Sequence, residues 1–276
     1  MSSGGRTLAE EVGAIEWYHT LELAPGVVTP GWFDTRPTVA EVPFAPTLEG
    51  SRCLDVATFN GFWAFEMERR GADEVIAIDV LDPSRWDWPA GADEDVIATM
   101  ARRQAGGRGF EIAKRELGSS VERLERSVYE LDPDDVGSFD LVYLGSLLIH
   151  LRDPIRALER VRSVCRGTLI VVDGIDPLLS AALPRLAVAT IDGEGRPWWW
   201  YPNTAALARW LRIAGFDVVE GPRRIYIQRG GEQPRPGLDP RLLFSREGRM
   251  ALTVALKGDP HAVLSARPRP GLGPVS

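Results

Sequence analysis

Cysteine, histidine, net positive charge and long apolar runs are all scarce in this chain. The two cysteines, Cys53 and Cys165, each lie beside a segment that reads as a core strand. Neither they nor the three histidines fall at the clustered spacing of a metal site, so buried free thiols and no structural metal are expected. No stretch approaches the roughly eighteen apolar residues that a membrane helix needs. The opening MSSGGRTLAEEVGAIEW has no basic segment leading into an apolar run, so neither export nor membrane insertion is indicated and a cytoplasmic protein is expected. Lys and Arg number 32 against 39 Asp and Glu, a net charge of −7 that disfavours a broad phosphate-binding surface while leaving room for tRNA. The arginines at Arg102–Arg103, at Arg223–Arg224 and around Arg241 lack an accompanying aromatic stripe and read as solvated faces.

With 276 residues and no internal repeat, the chain suits one domain with a substantial core. Residues 1–50, rich in proline and glycine after a short helix near Leu8 to Trp17, read as a winding cover segment. Residues 51–257 carry the strand and helix signals. Residues 258–276, with their prolines and glycines, read as an irregular tail, which sets His261 aside.

The informative stretch is CLDVATFNGFWAFEMERRGADEVIAID, from Cys53 to Asp79. It reads as a buried strand, a tight turn, a helix opened by Gly61 with Phe62, Phe65 and Met67 on its buried side, and a second strand from Val75 to Ile78. A ligand in such a unit sits where the strands end, and the spacing from Gly61 to Asp79 is that at which an acid meets ribose hydroxyls. The turn is poor in glycine. Ala57, Thr58, Phe59 and Asn60 leave only Gly61, which excludes close backbone approach to a diphosphate and argues against NAD. An adenosine ligand with an amino acid tail tolerates side chains there, with Asp55 at the base of the turn.

These residues resemble the class I S-adenosylmethionine methyltransferases, whose first motif runs D-x-G-x-G-x-G and whose second strand ends in an acid. In this chain the first two motif glycines are Ala57 and Phe59. FDLVYLGSLLIHLRDPIRAL from Phe139 resembles that family's fourth strand and following helix, and GTLIVVDG from Gly167 its fifth strand. The resemblance spans roughly Trp17 to Leu256. Within the superfamily it points to the tRNA wobble-uridine carboxymethyltransferase group, through GSLLIHLRDP (Gly145 to Pro154) and WYPNTAALARWLRIAGF (Trp200 to Phe216). Two departures favour ordinary S-adenosylmethionine over the carboxylated donor of that group. The group's tyrosine before the motif histidine is Ile149 here, and Arg36 is the only basic residue between Asp34 and Pro46, where the group carries lysines.

The later half predicts a third strand over Arg123 to Tyr129, a fourth over Phe139 to Leu144, a helix over Asp153 to Val164 and a fifth strand over Thr168 to Val172. Asn203 caps a helix through Ala214, and Phe216 to Gln228 with Met250 to Lys257 form a final strand pair. This order implies an α/β fold with a Rossmann-like seven-stranded, mostly parallel sheet, helices on both faces and an antiparallel final strand. Leu81 to Gly109 is an insertion near the mouth of the site.

The resemblance then implies a cofactor site of Asp55, Ala57, Thr58, Gly61, Asp79 and Val80, with Ser127, Val128 and Tyr129 at the adenine and Gly145 and Ser146 beneath the methionine part. His150, after an apolar strand end, either faces the acceptor or caps the sheet; His19, in EWYHTLEL, either touches substrate from the cover or packs. Trp17, Trp32, Arg36 and Trp199 are acceptor-side candidates, while Trp63 and Trp210 read as core. The expected activity is methyl transfer from S-adenosylmethionine to an oxygen, nitrogen or carbon of a small molecule. The alternatives are tRNA wobble-uridine modification and a non-catalytic nucleoside-binding protein, and the oligomeric state is left open.

Overall fold

The computed structural model describes residues 6–194, 196–234 and 244–272. Its strands are β1 (Glu22–Ala24), β2 (Val27–Val28), β3 (Phe33–Asp34), β4 (Arg52–Val56), β5 (Glu74–Asp79), β6 (Glu122–Glu125), β7 (Phe139–Gly145), β8 (Cys165–Gly174), β9 (Ala189–Ile191), β10 (Trp200–Pro202), β11 (Phe216–Arg229) and β12 (Asp259–Pro268). Its α-helices are α1 (Leu8–Gly13), α2 (Phe62–Arg69), α3 (Glu94–Gln104), α4 (Arg108–Leu117), α5 (Pro133–Val136), α6 (Pro154–Val164), α7 (Pro177–Ala182), α8 (Thr204–Ile213) and α9 (Arg246–Lys257).

An eight-stranded sheet in the order β3-β11-β12-β8-β7-β4-β5-β6 organises the molecule. β8, β7, β4, β5 and β6 run parallel, and β12 lies antiparallel between β8 and β11. The sheet has one strand more than the expected seven. The addition is the two-residue β3, by which the cover segment pairs with the edge of β11.

Side chains alternate between two buried layers, as the two-residue period of a strand requires. Leu54, Val56, Ile76, Ile78, Val142, Leu144, Val171 and Leu264 join Leu158 and Val161 of α6 and Leu207 and Leu211 of α8 on one face. Cys53, Val75, Ala77, Leu141, Tyr143, Val172 and Val263 join α2, α4 and the cover segment on the other. Both cysteines are buried free thiols, and burial pushes each up to about 12. Asn203 caps α8 by accepting from the Ala206 amide at 2.8 Å, and Asp153 caps α6 from the Arg156 amide at 3.0 Å.

Three expectations need correction. Residues 250–257 lie in α9 rather than a strand, and the closing strand is β12, inside the segment read as an irregular tail. Asp259 to Pro268 carries proline near each end, and these bound the strand instead of abolishing it. Between them Ala262, Leu264 and Ala266 pack on one face and Val263 on the other. His261 is therefore a buried sheet residue. The third strand ends at Glu125, after which Val128–Glu130 forms a 3-10 turn. Ser127 competes for the backbone there by capping that turn, its side chain accepting from Tyr129 while its amide donates to Glu130. Arg241 and residues 1–5 and 273–276 of the terminal segments lie outside the described residues.

Among the described residues no helix is long and apolar enough to cross a membrane. Among them, too, no group of three His, Cys, Asp or Glu could hold a metal ion.

Candidate functional site

The turn between β4 and α2 keeps left-handed backbone at alternate residues, with φ of +61° at Ala57, +52° at Phe59 and +89° at Gly61. Only the last is the residue type that adopts this region at no steric cost. Asp55 supports the turn from beneath. Its Oδ2 accepts from Thr58 Oγ1 at 2.7 Å and from the Ala64 amide at 3.1 Å, so it satisfies an amide in the first turn of α2 that has no helical partner. Asn60 reaches the other way. Its Oδ1 accepts from the amides of Tyr18 at 2.8 Å and His19 at 3.1 Å, which fixes the cover segment over the turn.

Asp79 closes β5 beside this turn. Oδ2 accepts from the Phe59 amide at 2.9 Å and Gln104 Nε2 at 2.9 Å, and Oδ1 from the Val80 amide at 2.8 Å. Burial pushes Asp79 up to about 6 and Asp55 up to about 7. Past Asp79, Trp86 donates from Nε1 to the Val80 carbonyl at 2.7 Å and stacks on Trp88 with ring centroids 5.4 Å apart. Tyr129 donates to Asp87 Oδ2 at 2.9 Å.

At the end of β7, Gly145 has no room for a side chain, since a Cβ would lie 2.8 Å from the Tyr143 ring. Ser146 follows with φ of +50°, its Oγ 3.0 Å from His261 Nε2. Asp173 Oδ2 accepts the amides of Leu147 at 2.9 Å and Leu148 at 2.7 Å, holding the next turn. His150 Nδ1 lies 2.7 Å from the Pro197 carbonyl, so it is the protonated nitrogen, and burial lowers this histidine's pKa. His19 is buried between Tyr18 and Phe62, which pushes it down to about 3 and keeps it neutral.

These elements enclose a cavity of about 280 Å³. The structure brings Asp55, Ala57, Asp79, Val80, Ser127, Val128, Tyr129, Gly145, Ser146, His19 and His150 to its wall. Thr58 and Gly61 hold the turn from behind and are outside the lining. The acceptor-side candidates fall elsewhere. Trp17 is fully buried with its indole donating to the Val12 carbonyl at 3.0 Å, and Trp32 lies under the Arg103 guanidinium at 3.7 Å. Arg36 pairs with Asp34 at the surface, and Trp199 donates to the Asp87 carbonyl from outside the lining. In their place the wall carries Tyr18, Trp63 and Tyr143, the last two stacked at 4.6 Å. Trp63 is both a buried residue and a cavity wall. His261 and Gln104 stand behind the wall, in hydrogen-bond contact with Ser146 and Asp79; only the apolar run around His261 signalled either beforehand.

Two desolvated acids face the cavity, while its lining guanidiniums, Arg85 and Arg126, pair with Glu125 and Asp135. A cationic ligand bearing hydroxyls and a flat base fits this chemistry, with apolar Val80 and Val128 for the base and the glycine of β7 for a close approach of backbone. S-Adenosylmethionine has those parts.

Comparison with known proteins agrees. A family model described as a methyltransferase domain matches residues 34–221. The tRNA U34 carboxymethyltransferase of Pseudomonas putida (strain GB-1) is 29% identical over 178 residues, 62% of this chain and 47% of that protein. Its namesake in Azotobacter vinelandii is 31% identical over the same shares of the two chains. The chain thus spans about half the length of these curated relatives. Among solved structures, the methyltransferase in complex with the Trm112 activator of Haloferax volcanii superposes with a TM-score of 0.51 at 16% identity, covering 88% of this chain and 91% of that one. The cyclase SpnF does so with a TM-score of 0.50 at 18% identity, covering 85% and 80%. These two likenesses show the fold. With more than half of its length matching the family model, the chain belongs to the methyltransferase-domain family, the class I fold whose cofactor is S-adenosylmethionine.

Proposed function

We propose that the protein transfers a methyl group from S-adenosylmethionine to an oxygen, nitrogen or carbon of a small-molecule acceptor. The observation that carries this reading is the cavity itself. It opens at the carboxyl ends of the parallel strands, is walled on the acceptor side by Tyr18, Trp63 and Tyr143, and is covered by the segment that Asn60 pins down. S-Adenosylmethionine, when bound, supplies a methyl group on a sulfonium. Asp79 would take the ribose hydroxyls, Val80 and Val128 the two faces of the adenine, and Asp55 and Gly145 the methionine part. Transfer is an in-line displacement, so the chain's contribution is to hold the acceptor atom behind the methyl carbon and to keep water out. Aromatic walls that cannot swing away serve both ends.

The tRNA U34 carboxymethyltransferases among the relatives favour a second reading, carboxymethyl transfer to a tRNA uridine. Against it stand the net charge of −7 and a cavity whose arginines are already paired with acids. The added carboxylate of that donor needs a free cation.

The test is calorimetric titration with S-adenosylhomocysteine beside S-adenosylmethionine, its carboxylated form and NAD. Micromolar binding of the homocysteine product supports the reading and is the expected result. A preference for the carboxylated donor would move the acceptor search to tRNA, and silence from every adenosine ligand would sink the enzymatic assignment.

A further inference from the structure

His261, in the strand hidden within the apparent tail, is the feature that methyl transfer as described above leaves unused. Its Nδ1 lies 3.2 Å from the Asp259 carbonyl and 3.7 Å from Asp259 Oδ1. Both are acceptors, so Nδ1 carries the proton and, in the neutral ring, Nε2 presents a lone pair. Ser146 Oγ, 3.0 Å away, must therefore donate to His261 Nε2. That hydroxyl stands on the cavity wall, at a residue held in left-handed backbone that serine adopts only under constraint. Tyr18 lines the same cavity as Ser146. At the other end, Asp259 keeps 31% of its side chain exposed while that of His261 keeps only 4%. A hydroxyl, an imidazole and a carboxylate thus stand in succession behind the cavity wall. Asp173 and His150 are the other titratable groups near His261.

Resting on the methyltransferase reading, we propose that Ser146 and His261 form the exit for the acceptor's proton, and that the acceptor is an aromatic molecule bearing an ionisable hydroxyl, of the phenol class. Ser146 touches the acceptor, and His261 is a positioning residue that acts through it. In the step, the acceptor O–H proton passes to Ser146 Oγ as the serine's own proton passes to His261 Nε2. The acceptor oxygen bonds to the methyl carbon while the carbon–sulfur bond breaks and its electron pair stays on sulfur. The imidazolium, neutralised in part by Asp259, then returns the proton to water. The aromatic part of the class follows from the aromatic residues in the cavity lining, among them Tyr18, Phe59, Trp63, Trp86 and Trp88. Flat faces recognise flat faces.

The probe is 4-nitrophenol, whose ionisation is read from its absorbance when bound with S-adenosylhomocysteine to the whole protein. Wild type is expected to lower the apparent pKa of the bound phenol by about one unit, a tenfold effect. His261→Gln keeps a hydrogen-bonding group near Ser146 and loses the proton site, so the shift should vanish while S-adenosylhomocysteine affinity stays unchanged. Ser146→Ala should also abolish the shift, and it carries the test if the histidine variant does not fold. An equal phenol pKa in wild type and variants overturns the relay, and failure of the loaded protein to bind 4-nitrophenol overturns the acceptor class. Absence of S-adenosylhomocysteine binding is a separate result, which removes the methyltransferase reading and this proposal with it.

Discussion

The backbone amide of Phe59 donates to Oδ2 of Asp79 at 2.9 Å from a residue held at a φ of +52°. The left-handed turn and the acid that ends β5 are therefore one device: the turn keeps its shape without its first two family glycines, and Asp79 is oriented by it. Phe59 gains in exchange a ring stacked on Tyr18 at 4.5 Å, which ties the turn to the cover.

Ala57 tests whether this backbone is strained. At φ of +61° a residue without β-branching costs about 1–2 kcal/mol, and glycine recovers that while losing about 0.5–1 kcal/mol through its freer unfolded state. Ala57→Gly should change stability by between about 0 and +1.5 kcal/mol and keep S-adenosylhomocysteine affinity, whereas the branched Ala57→Val should lose more than about 1 kcal/mol. Urea unfolding measures both. A valine variant as stable as wild type would mean that the turn relaxes out of the left-handed region.

Asp79→Asn removes the charge and leaves one fewer acceptor for three protein donors. S-Adenosylhomocysteine affinity should fall by about 1–3 kcal/mol, the usual worth of a hydrogen bond to a charged group. Calorimetry reads this directly, and an unchanged Kd would take Asp79 out of the ribose role.

Much of this site was readable before the structure, and the parts that were not share a physical cause. Asp55 and Asp79 sit at strand ends, where residue type is tied to backbone geometry, so their spacing led to the cavity wall, while Gly61 opens α2 behind it. Trp17, Trp32 and Trp63 lie in segments whose pattern marks burial without saying what lies opposite. Trp63 turned to the cavity and Trp17 into the core because of tertiary packing alone. His261 was lost with β12, a short apolar run bounded by prolines that composition assigns to a tail. Ser127 ended the third strand early by a local cap that outcompeted the sheet.

Trp17 offers a check on that correction. With no exposed surface and its indole bonded to the Val12 carbonyl, it belongs to the core beneath the cover. Trp17→Ala should cost about 3–5 kcal/mol of stability through the cavity it leaves. The protein that remains folded should bind S-adenosylhomocysteine as wild type does. A variant with normal stability and altered ligand binding would return Trp17 to the substrate side.

The buried acids set the direction of a pH dependence. Burial raises Asp55 from 3.8 to about 7 and Asp79 from 3.8 to about 6, so the folded protein holds protons that the unfolded chain has already released between those limits. Their contribution to stability is therefore most favourable below the unfolded value and is lost as pH rises through the window, from about 4 to about 7. A cationic ligand acts in the opposite sense. By favouring the carboxylate forms it lowers both values, so S-adenosylmethionine binding near pH 6 should release protons and tighten as pH rises to about 7.5, then level off. Titration calorimetry in two buffers of different ionisation enthalpy counts those protons. Proton uptake, or an affinity flat across the range, would show that the cationic methionine part does not lie against Asp55 and that the ribose hydroxyls do not donate to Asp79.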